Sequence, residues 1–153
     1  MAIDTDAAIA RNRERELREN LEKISKKLTK GGNDSTEALY QLQEVLDRSD
    51  TFGLAGKINP RLVSVVWILK KFIHDLWTNM GGDNPGFPKD EGTQILQDIA
   101  RHLGVFIQNS LFRNRPRDSI GTFEDVIKSY YALLHLAEEY YKKEDRRKEF
   151  VVL

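Results

Sequence analysis

The sequence contains no cysteine in its 153 residues, which excludes disulfides, thiol nucleophiles and thiolate-bound zinc. Neither sign of charge is in excess, because 24 lysines and arginines stand against 24 aspartates and glutamates. No whole-chain field therefore draws it onto nucleic acid or an anionic membrane, and only local patches remain for such a role. Long hydrophobic runs are missing too. The most apolar stretch, residues 62–69, is soon interrupted by Lys70, Lys71, His74 and Asp75, and is too short to cross a bilayer. The opening MAIDTDAAIARNRERE has no basic start followed by an apolar run, so no secretory signal is expected. These absences predict a soluble chain of the cytoplasm or nucleus, without a membrane partner.

What is present is helical patterning. Hydrophobic residues make up 40% and charged residues 31% of the chain, which suits one folded domain with its own core. A first helix is predicted over 6–30, with Leu17, Leu21, Ile24 and Leu28 as a narrow apolar stripe and Gly31-Gly32 as its stop. Its leading turns, to about residue 12, are expected to fray. Asp34 with Glu37 three residues on reads as a capping box for a second helix, buried through Ala38, Leu39, Leu42, Val45 and Leu46. Phe52 and Leu54 are expected to tuck beneath the next connector. Asn59-Pro60 then opens a third helix running to Met80, apolar around most of its circumference and hence expected at the centre. The Gly- and Pro-rich segment 81–90 is a loop, and a fourth helix follows over 92–112, where Gly104 would permit close approach of a neighbour. RNRPRDSIG reads as a break, after which Thr122 caps a fifth helix bearing Phe123, Val126, Tyr130 and Leu133. The expected fold is thus an all-α bundle of about five helices, mostly antiparallel hairpins, as one domain over 1–153 with central helix 60–80 and a solvated tail at 145–153.

Catalytic chemistry finds no footing in this pattern. GLAGK at 53–57 lacks the spacing, the hydroxyl and the preceding strand of a phosphate loop. His135 and Glu139 share a helix face, but no motif supplies the further ligands a metal needs. His74 and Asp75 are adjacent and so point to different faces. Carboxylates lie beside lysines and arginines, as in Arg13-Glu14-Arg15-Glu16, which reads as solvated pairing. No enzyme, cofactor or metal site is expected. Arg113, Arg115 and Arg117 form a local basic cluster that could grip phosphates, and Tyr130-Tyr131 and Tyr140-Tyr141 suit half-buried packing better than base stacking. The apolar end Val151-Val152-Leu153 fits addition to a sheet edge. Phe87, between Gly86 and Pro88, is either a plug of the core or an exposed anchor.

From Leu17 to Phe72 the chain resembles the integrase-binding domain of the lens epithelium-derived and hepatoma-derived growth factor-related chromatin proteins. More broadly it is similar to the helical N-terminal domain of transcription elongation factor TFIIS. The residues that carry this are ISKKLTKGGNDSTEALYQLQEVL, then ILKKF, then the pattern of TQILQDIARHLGVFIQNSLF. The resemblance implies two packed helical hairpins without enzymatic activity, whose inter-helical loops bind short disordered peptides of transcription or chromatin factors. It places the partner-binding residues at Lys30, Asn33 and Asp34 in the first loop, and at Phe72, Met80 and Phe87 toward the second. The first loop here has no Ile beside Asp34, the third helix runs on past Phe72, and the second loop is longer, so partner preference is expected to differ. The alternative is a small helical subunit of a nucleoprotein complex that contacts RNA phosphates through Arg113, Arg115 and Arg117.

Overall fold

A computed structural model describes residues 5–48, 59–80, 89–113 and 116–143. Phe52, Leu54, the GLAGK segment, Phe87, Arg115 and Val151-Val152-Leu153 lie outside them. Among the described residues all regular structure is helical: α1 (Thr5–Lys30), α2 (Gly32–Arg48), α3 (Pro60–Met80), α4 (Lys89–Ile107) ending in a π turn (Gln108–Phe112), and α5 (Pro116–Lys143). The chain is an all-α bundle, as its periodicities predict.

Local chemistry sets the helix ends. Gly31 and Gly32 adopt φ of 83° and 65°, left-handed values that L side chains resist, so they reverse the chain between α1 and α2. The reversal is tight enough that α2 starts at Gly32. Asp34 therefore stands in the first turn, and is not the N-cap that the capping-box reading assigned. Its charge still complements the positive helix end. Asn59 is a true cap: its side-chain oxygen accepts from the Arg61 amide at 2.8 Å, and its carbonyl accepts from the Val63 amide at 3.2 Å. The Asn59 amide donates to Glu14 Oε1 at 2.9 Å, which ties the start of α3 to α1.

Two expected boundaries move. α5 begins at Pro116, ahead of Thr122, because proline suits the first helical position; Thr122 is an interior residue donating to the Asp118 carbonyl at 2.7 Å. α4 does not run on as α-helix to Phe112. It widens into the π turn, closed by the Arg113 amide on the Gln108 carbonyl at 2.7 Å.

Long-range contacts give the helix directions. Gly104 lies against Ser25–Thr29 whereas Leu111 meets Arg18, so α4 runs antiparallel to α1. Lys27 bonds Gln41 at 3.3 Å across the tight turn, so α2 is antiparallel as well. Phe72 packs edge-on against Phe123, and Asn79 bonds Tyr130, so α5 runs parallel to α3. α4 packs against α1, α2 and α5, and α3 packs on α2, on the π turn and on α5. Helix 60–80, α3, supplies more of the buried hydrophobic side chains than any other helix among the described residues, with Leu62, Val66 and Leu69 fully buried, while Trp67 stays 53% and Ile68 41% exposed.

α1 and α4 come backbone-close at Gly104. A Cβ on Gly104 would stand 2.7 Å from Thr29 Cγ2, 2.8 Å from the Ser25 carbonyl oxygen and 3.0 Å from Leu28 Cβ. Ser25 and Thr29 turn their hydroxyls back onto the carbonyls of Glu22 and Lys26, at 2.7 and 2.9 Å. Their small, internally satisfied surface is what lets α4 approach. Gly104→Ala gains up to about 1 kcal/mol of helix propensity but clashes with backbone that cannot swing away, a cost of about 1–3 kcal/mol. Urea unfolding should show a net loss of stability at unchanged m-value; equal or higher stability would contradict the packing described.

Candidate protein-interaction site

The helix directions gather one set of sequence-predicted residues at one end of the bundle. α1 ends at Lys30, α2 starts at Gly32, and α3 finishes at Met80 beside the start of α2. The last relation follows from Tyr40 of α2 and Trp77 of α3, whose rings stack at 4.8 Å and 13°. Asp34 lies about 9 Å along α2 beyond that stack, and Met80 about 4.5 Å beyond it along α3, at 1.5 Å per residue. Lys30, Asn33 and Asp34 are all exposed around the glycine turn. This end therefore presents a cation, an amide and a carboxylate on a turn rigidly joined to the core through Leu28 and Ser35, both 0% exposed. Ser35 spends its hydroxyl on the Gly32 carbonyl at 2.7 Å, leaving the outward polar groups of the turn to solvent.

One predicted contact residue does not belong to any surface. Phe72 is 1% exposed and sits between Tyr130 and Phe123, with ring centroids at 5.3 and 6.3 Å. Its place on the core face of α3, one turn before Leu76, assigns it to packing, so it is removed from the candidate site. The backbone of Met80 is at the turn end, and Phe87 lies outside the described residues.

The basic cluster divides. Arg113 is exposed directly after the π turn, Arg117 belongs to the first turn of α5 rather than to a loop, and Arg115 lies outside the described residues. Beside Phe112 runs an open groove of about 400 Å³ walled by Arg11, Arg15 and Arg18 together with Glu14, Glu19 and Glu22. Arg18 reaches from it to the Leu111 carbonyl at 3.2 Å and lies 5.7 Å from the centre of the Phe112 ring. It caps carbonyls left open where the helix ends, a cross-chain contact that helix periodicity does not reveal.

A buried polar group between α3 and α5 was also invisible to periodicity. Asp75 is 3% and Asn79 0% exposed, one turn apart on α3. Asn79 Nδ2 donates to the Tyr130 hydroxyl, which in turn donates to the Asp75 carbonyl at 3.3 Å. The Asp75 carboxylate pairs with Lys71 Nζ at 3.3 Å. The available signal was the i, i+4 ladder Lys71, Asp75, Asn79 on an otherwise apolar helix. Burial pushes the Tyr130 hydroxyl above its ordinary value of 10.0, with the Asn79 hydrogen bond opposing and the Asp75 charge adding. His74 and His135 are exposed, and among the described residues no three metal-ligating side chains come together. No helix among the described residues is long and apolar enough to cross a membrane.

No protein-family model matches this chain, and no curated protein or solved structure shows significant similarity to it.

Tyr130→Phe removes the hydroxyl that accepts from Asn79 and donates to the Asp75 carbonyl, and should cost about 1 kcal/mol, the usual net worth of a buried hydrogen bond. A folded-state value raised above 10.0 means the unfolded chain ionises first. Tyr130 thus contributes stability fully below that pH, which is lost as pH rises through the folded value. Unfolding titrations should show a fall in stability above about pH 10 that is shallower in Tyr130→Phe; parallel curves would contradict the hydroxyl's burial.

Proposed function

We propose that this chain is a non-enzymatic protein–protein interaction module that binds a short linear peptide of a transcription- or chromatin-associated partner, in the nucleus or cytoplasm. The observation that carries the reading is the convergence of the exposed Lys30, Asn33 and Asp34 with the end of α3 at one end of the bundle. These positions are the ones that the resemblance of residues 17–72 to peptide-binding helical domains implies. A turn held by left-handed glycines presents the same polar groups in every molecule, which lowers the ordering cost of binding. In this reading the Asp34 carboxylate accepts hydrogen bonds from peptide backbone amides, Lys30 and Asn33 fix the peptide's direction, and Met80 with Phe87 supplies the apolar contact.

A panel of acidic and aromatic linear peptides titrated against the full chain tests this. Asp34→Asn should weaken the peptides that bind by about tenfold, the size of one charged hydrogen bond, and Phe87→Ala by a similar factor, with thermal melts unchanged. Wild-type affinity in both variants would discard the site.

One observation favours a second reading, a helical subunit of a nucleoprotein complex. Arg113 follows Phe112, whose ring borders the groove with Arg11, Arg15 and Arg18, so a phosphate backbone laid there meets several cations. Glu14, Glu19 and Glu22 on the same wall offset that charge, which ranks this reading second. Binding of single-stranded RNA should then fall steeply with salt, and Arg113→Ala should reduce the log–log slope by about one. No binding at low salt would remove it.

A further inference from the structure

We draw no further inference here: the strongest candidate, the buried indole N–H of Trp77 at the seam between α2 and α3, behind the Tyr40 ring that stacks on it, donates to no acceptor among the described residues, and nothing in the structure shows what would reach it.

Discussion

Backbone-close contact between α1 and α4 governs the arrangement of the other helices. At Gly104 the α4 backbone comes so near Ser25, Leu28 and Thr29 that a single methyl group would overlap a carbonyl oxygen. Two helices at that separation form a stiff pair, since neither can rotate without breaking contact along several turns. α2 is folded onto the pair by the two-glycine turn, and Arg18 locks the far end by capping the Leu111 carbonyl. The turn end and the arginine groove are thus the two extremities of the same rigid pair, one set by left-handed glycines and the other by a π turn.

α3 joins differently. It is fastened at its start by Asn59 to Glu14, along its length by Phe72 against Phe123 and Tyr130, and near its end by the Asn79–Tyr130 and Tyr40–Trp77 contacts. These attachments reach α1 at the start of the helix and α2 and α5 along its flanks, and the π turn packs on it as well. Trp67 and Ile68 lie on the side of α3 turned away from the helices these attachments reach, and stay 53% and 41% exposed on an element composed like a core helix. The buried Asp75 and Asn79 add direction to this docking: hydrogen bonds to Tyr130 are satisfied only in one register of α3 against α5.

Much of this was legible in the residues. The stripe Leu17, Leu21, Ile24, Leu28 named the buried side of α1, Asn59-Pro60 named the start of α3, and Gly104 inside a helix pointed to a close neighbour. The preference of proline for the first helical position, which starts α3 at Pro60, holds equally at Pro116 and outweighs the capping signal of Thr122. Other features depend on partners far along the chain. Hydrophobicity alone cannot distinguish Trp67 from Trp77, because which apolar residue is covered depends on where the neighbouring helices lie. Phe72, which follows Lys70 and Lys71, is a contact residue only by the resemblance, and its ring belongs to the aromatic core. The Arg18–Leu111 bond joins residues 93 positions apart, and no local pattern encodes it. Of the candidate site, the glycine turn and its polar groups were readable, whereas their alignment with the end of α3 required the bundle.

Native-state hydrogen exchange tests the central role of the α1–α4 contact most directly. Amides of residues 24–28 and 103–107 should exchange slowest and only through global unfolding, while those of the first turns of α3 open earlier by a local route. Strongest protection in α3, with the α1–α4 crossing exchanging through a smaller opening, would contradict the account.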